Sequence, residues 1–344
     1  MTTTVEPVTT SGTEATARPA PPLPGARGPL SAAVLDRLRG GDLVVPDGVA
    51  DADPYGEDLQ LALYLSYELH YRGFAGVDDD LEWDPELLRL RRGMEDVFLA
   101  ALRRDVPGGD DLAGTIDPLL VEDLDSRGVS HHLRRTGEVW QVREYVAARS
   151  LYHLKEADPQ AWVIPRLEGE AKAGLVSVEH DEYGAGRGDR MHARLFADMM
   201  RELGLSDAYG AYLDVAPAEV LAEVNLMSMV GLRRALRGAL VGQFAVVELT
   251  SSPGSERLVR AAERLGLGPA TVGFYAEHVE ADAVHEQVVR HGIIAPLVEQ
   301  DPAMAADVVF GMQAALLLDE RLSARVMGCW SEGRSLLREP LPEA

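Results

Sequence analysis

Apolar residues recur at helical spacing in one segment after another of this chain, and the two-residue alternation of a half-buried strand is almost absent. That property constrains the fold more than any other. A chain without strands has to bury its apolar faces helix against helix. "PLSAAVLDRLRGG" reads as a short amphipathic helix closed by glycines, and "EDLQLALYLSYELHYRGF" as a second that ends at Gly73. "DPELLRLRRGMEDVFLAALRRDVP" opens on Asp84-Pro85 and stops at Pro107. A looser connector through "GGDDLAGTIDPLLVEDLDSRGVSHHLRRTG" follows. Then come "EVWQVREYVAARSLYHLKEAD", "DPQAWVIPRLEGEAKAGLVSVEHDEYG" and "DRMHARLFADMMRELGL", the last two parted by the glycine-rich "YGAGRGD". A long helix is expected from near Pro217 to about Thr250, where "SSPGS" interrupts it. "ERLVRAAERLGL", "ATVGFYAEHVEADAVHEQVVRHGI" and "PAMAADVVFGMQAALLLDERLSARVMGCWS" complete the set. No dinucleotide or phosphate-loop glycine motif precedes a helix, and no internal repeat is present. The expected fold is all-α, a single helical bundle over residues 29–344. Residues 1–28, rich in Thr, Pro and Ala, are expected to form a disordered tail, because they hold too little apolar surface to offset ordering.

Charge narrows the partners. The 344 residues carry 33 Lys plus Arg against 56 Asp plus Glu, a formal charge of −23. Such a surface repels phosphate backbones and anionic lipid, so neither nucleic acid nor membrane is an expected partner. The single cysteine, Cys329, has no partner for an internal disulfide, which suits a reducing compartment. No apolar run spans a bilayer, and the first residues lack the charged start and apolar middle of a secretory signal. A cytoplasmic location is the expectation.

The stretch "FYAEHVEADAVHEQ" places His278, Asp282 and His285 at offsets of four and seven. Each helical residue advances about 100°, so those offsets return to within about 40° of one direction. A lone histidine on a helical face is more often packed or solvated than a ligand. Here the crowded carboxylates around it are costly unless some meet a cation or face solvent. A second group lies in "VEHDEYGAGRGDRMHARLF", with Glu179, His180, Asp181 and Glu182, then His192 beyond the glycines. A third candidate is Glu156 in "YHLKEADP". Three carboxylates and three imidazoles exceed what one zinc takes. Glu, Asp and His around a bundle core are what non-haem di-iron and di-manganese sites use, although the Glu-x-x-His pairs of ferritin-type bundles are missing.

The order Glu156, Glu182, His192, then His-x3-Asp-x2-His resembles the haem-oxygenase-like di-iron oxidase and oxygenase family, whose helical bundle binds two irons in place of haem. The likeness runs from about residue 57 to about residue 290. It implies six ligands, Glu156, Glu182, His192, His278, Asp282 and His285, with Glu182 bridging. It further implies Glu156, His192 and His285 on one iron and His278 and Asp282 on the other. Two Fe ions, dioxygen as co-substrate, an external electron donor and, by analogy, a homodimer follow from the same likeness. Because the last ligand helix is loosely ordered in that family, weak iron retention is expected. The style of "DEYGAGR" resembles the N-oxygenating branch, which implies N-oxygenation of a small amine or amino acid in specialised biosynthesis. The alternative is oxidative C–C or C–H cleavage or decarboxylation of an amino or fatty acid.

Other residues need a reading too. Glu248, in "AVVELTSS", is an acid in an apolar helical run, either a substrate-contacting residue or a buried, hydrogen-bonded one. His131 and His132 are expected at the surface. His153 is expected to be packed or exposed, or to stand behind Glu156. His180 is offset from Glu182, and His291 closes the ligand helix near its carboxyl end. Glu68 and His70 are two apart and face different sides of a helix. A non-enzymatic haem- or iron-binding protein is the competing class, with His70 as the haem ligand. That reading leaves the six-residue constellation without a purpose.

Overall fold

The structure, a computed structural model, describes residues 20–121 and 127–342. It is a helical bundle, with no strand among the described residues. In chain order the helices are α1 (Pro29–Leu38), α2 (Glu57–Glu68), α3 (Pro85–Asp105), α4 (Leu112–Ile116), α5 (Val129–Arg135), α6 (Val139–His153) and α7 (Asp158–Ala161). There follow α8 (Gly169–Glu182), α9 (His192–Glu202), α10 (Ala218–Leu232), α11 (Arg237–Leu265), α12 (Pro269–Gln287), α13 (Ala295–Gln300) and α14 (Met304–Ser331). A π-helical stretch, Val288–Ile294, joins α12 to α13. Among the described residues no helix is long and apolar enough to cross a membrane.

Helix α11 is the structural axis, packed along its length against α12 and α14 and flanked by α5. Its crossing with α14 brings backbone onto backbone. A Cβ on Gly242 would sit 1.9 Å from Val308 O, and one on Gly311 would sit 2.0 Å from Ala239 O. Only glycine permits that approach. Helix α10 is buried over nearly its whole length, as its almost uninterrupted apolar sequence requires. Helix α3 starts where Asp84-Pro85 places it: the Asp84 carboxylate accepts from the backbone N–H of Glu86 and Leu87, at 2.9 Å each.

Several expectations are corrected. The long helix from Pro217 breaks at Arg233–Leu236, with no proline there, and α11 then runs straight through Pro253. The break is stabilised from a distance. The Arg166 guanidinium donates to Gly231 O and, at 2.9 Å, to Leu232 O, satisfying carbonyls that the end of α10 leaves free. Pro253 itself is exposed, and the packing of the rest of α11 outweighs a proline cost of about 3 kcal/mol. The connector after Pro107 contains α4 and α5, and Arg264 of α11 closes α5 by donating to Leu133 O, Arg134 O and Gly137 O. The segment read as one from Asp158 to Tyr183 is α7 and α8, parted by Ile164–Arg166.

The tail expectation is corrected at its inner end. The Arg27 side chain is buried, donating to Glu57 at 2.6 Å and to Leu213 O at 2.7 Å, while Pro21 O accepts from Ala75 N. Residues 20–28 are therefore packed onto the bundle, and the first nineteen lie outside the described residues.

Candidate metal centre

Five segments bring ligand-type side chains to one place in the bundle. Glu156 lies in the turn after α6, and Glu182 is the last residue of α8. His192 opens α9, Glu248 comes from α11, and His278, Asp282 and His285 come from α12. All seven are buried. Gly184 makes the return from Glu182 to His192 possible. Its φ is +70°, and a Cβ there would meet Arg190 C and Met191 N at 2.6 Å. The glycine break thus folds back tightly and sets His192 Nδ1 2.7 Å from Glu182 Oε2.

The seven side chains fall into two groups, within each of which the donor atoms lie inside 4.8 Å of one another: Glu156, His192 and His278, then Glu182, Glu248, Asp282 and His285. Glu182 stands between the groups, since its other oxygen is 3.7 Å from His285 Nδ1. This grouping corrects the expected partition. His278 joins Glu156 and His192, and His285 joins Asp282. Seven helical residues separate His278 from His285 by about 10.5 Å along the axis, too far to share a position. Of the two readings of Glu248, it is the buried, hydrogen-bonded acid that the structure has, and it also lines the neighbouring cavity. Its Oε2 is 3.0 Å from His285 Nδ1, inside the second group.

The donor set fits a pair of cations. His192 Nδ1 and His278 Nε2 are buried without a hydrogen-bond partner, although Glu182 Oε2 lies 2.7 Å from the first and Glu156 Oε1 3.9 Å from the second. Close approach without hydrogen-bond alignment is how two ligands of one cation sit. Carboxylate oxygen with imidazole nitrogen suits iron or manganese. A family model described as an iron-containing redox enzyme matches residues 143–320, a span that holds all seven side chains.

The chain belongs to the iron-containing redox enzyme family.

It is thus an iron-dependent oxidoreductase with a haem-oxygenase-like helical fold. No curated protein matches the chain. Iron-containing redox enzymes need their ligands oriented, and outer contacts do that here. His278 Nδ1 donates to Phe274 O at 2.8 Å, so the Nε2 lone pair faces Glu156 and His192. Ser251 Oγ donates to Asp282 Oδ2, and His285 Nε2 lies 3.3 Å from Asp181 Oδ2. His153 stacks on Phe196, ring centroids 4.7 Å apart, with Nδ1 2.9 Å from Glu156 Oε2. Burial holds His153 well below the usual imidazole range, so it stays neutral and donates to that carboxylate.

The electrostatics of the ligand groups are those of crowded acids. Burial disfavours a charged His285, but its hydrogen bonds to Asp282 and Glu248 outweigh this and push it up to about 11. His192 is likewise pushed up to about 9, burial being overcome by Glu182 first and then Glu156. Burial raises Glu156, and it raises Glu248 to about 8 in spite of His285.

The remaining candidates fall elsewhere. His70 has both ring nitrogens engaged, Nδ1 by Glu82 Oε1 at 2.8 Å and Nε2 by the Arg91 guanidinium, which leaves none for a haem iron. His180 and His291 are exposed. His132 contacts Gln141 Oε1 at 3.1 Å, while the half-buried His131 lines the cavity beside the metal centre. Sequence reasoning named Glu179 in the second acidic group but gave it no role; it is buried one helical turn before Glu182 with both carboxyl oxygens unpartnered. Its signal was the same face of α8.

Proposed function

We propose that this enzyme uses two irons and dioxygen to oxidise a small amine, placing one oxygen atom on its nitrogen. The observation that carries the reading is that both donor groups, joined through Glu182, open onto one cavity of about 470 Å³. Glu156, Glu182, Glu248, Asp282 and His278 form one wall of it. Phe244 and Phe274 add apolar surface that keeps bulk water from the reacting end. Arg127, Arg149, Glu223, Arg257 and Asp319 line the same space. A hydrocarbon chain would press those charged groups against apolar surface, which is costly. A small cationic or polar substrate meets them. That contrast supports an amine over a fatty acid.

When bound, the iron pair supplies electrons to dioxygen. The protein's own groups orient the reactants. Ser251 and Phe274 O fix Asp282 and His278, and His153 steadies Glu156. In the overall balance one oxygen atom joins nitrogen and the other leaves as water, with two electrons and two protons drawn from an external reductant.

The test is an anaerobic ferrous titration followed by labelled dioxygen with a panel of amines and fatty acids. Two irons per chain and label on nitrogen are expected. One iron or none would overturn the paired centre. Label on carbon, or a desaturated or shortened product, would overturn N-oxygenation in favour of C–H or C–C cleavage.

A further inference from the structure

A buried ion pair stands outside the metal centre, one residue from a ligand. Glu68 ends α2, and Lys155 sits in the turn that carries Glu156; they are 0% and 1% exposed. Lys155 Nζ donates to Glu68 Oε2 at 2.9 Å and lies 4.2 Å from the ring centroid of Tyr71 and 5.0 Å from that of Tyr64. The other carboxylate oxygen, Oε1, accepts from Tyr209 Oη at 2.7 Å. Arg72 adds a second hold from the same end of α2. Its guanidinium donates to Leu154 O at 2.9 Å and lies 4.2 Å from the Tyr209 ring centroid.

We propose that Glu68 and Lys155 are a positioning pair for the metal centre: through them α2 grips the turn and sets Glu156 at its place beside His192 and His278. This rests on the two-iron reading above. Helix α6 ends at His153, so its regular hydrogen bonds do not reach Glu156. The backbone bonds that bracket Glu156 both run through Lys155. Its N–H donates to Tyr152 O, and its carbonyl accepts from Asp158 N, at 2.8 Å each. Whatever fixes Lys155 therefore fixes the ligand next to it. Helix α2 lies outside residues 143–320, so this hold comes from a part of the chain that the family match does not include. A pair kept for stability alone makes a different prediction. Replacing a buried ion pair by neutral groups of like size is often harmless to stability, so a fold effect and a positioning effect come apart when both charges go together.

The experiment is anaerobic ferrous titration of the full chain with Mössbauer spectra, for wild type, for Glu68→Gln combined with Lys155→Met, and for Tyr209→Phe. The wild type is expected to bind two irons. Methionine and glutamine keep the lengths of the side chains they replace, so the double variant should melt near the wild-type temperature. One of its irons should bind about tenfold or more weaker, with a changed Mössbauer doublet, while the other is unaltered. Tyr209→Phe removes one hydrogen bond to Glu68 and should weaken the same iron by about threefold. If the folded double variant binds both irons as the wild type does, or loses both alike, the pair does not position Glu156 and the proposal fails. If that variant does not fold, Tyr209→Phe decides, and unchanged affinity for both irons overturns the proposal. One iron or none in the wild type removes the two-iron reading itself, and the positioning role falls with it.

Discussion

Glu179 gives the sharpest physical test of the centre, because it is an acid placed where no acid is comfortable. Burial, with Glu182, Asp158 and Glu248 adding to it, pushes its carboxyl from an ordinary 4.5 up to about 9. In the unfolded chain it ionises near 4.5. Between those values the folded state holds a proton that the unfolded state has released, so stability falls as pH rises. Below the unfolded value the penalty vanishes, and above about 9 it is constant. One unit corresponds to about 1.4 kcal/mol, so at pH 7 the cost is about 3 kcal/mol. That is a large fraction of a typical folding free energy. Glu179→Met keeps the length of the side chain and removes the titration. Urea unfolding of metal-free protein from about pH 5 to about pH 8 should show the variant gaining on the wild type by about 1 kcal/mol per unit. Comparing the two proteins cancels the slopes of His192, His285 and Glu248, which have the same sign. If both lose stability along parallel lines, Glu179 is not held neutral and the reasoning fails.

Ser251→Ala should weaken iron binding by about 10- to 100-fold through the loss of its bond to Asp282, with helical circular dichroism unchanged, as equilibrium dialysis will show. Gly184→Ala should cost more than the roughly 1–2 kcal/mol of a left-handed residue, because its Cβ meets the Arg190–Met191 backbone. The melting temperature and the iron content should fall together. Iron must displace protons from His192 and His285, which are raised to about 9 and about 11. Affinity should therefore climb with pH from neutrality to about 9, with protons released into unbuffered solution, and a pH-independent affinity would contradict this.

What was legible in the sequence follows from how far each signal travels. His278, Asp282 and His285 share one helix, so spacing alone gives their direction. Glu182 and His192 are joined by a short turn, and its glycines announced a reversal. Glu248 was visible only as an anomaly, an acid among apolar residues. Its partner His285 is 37 residues away on another helix, and no local pattern links them. Glu223 and Arg149 lie 74 residues apart, so their pairing was out of reach. The break after α10 was hidden for the same reason, since the Arg166 that caps it is 65 residues upstream. Pro253 misled because a local propensity was set against tertiary burial, which is the larger energy.

The acids around the cavity are tolerated in different ways. At the metal centre, Glu156, Glu182, Glu248 and Asp282 are crowded with three imidazoles, and a cation pair is the natural counter-charge. Outer contacts from Ser251, Asp181, His153 and Phe274 O hold those groups in position, so little rearrangement is needed on binding. Between α6 and α10, Arg149 is a resident counter-charge to Glu223.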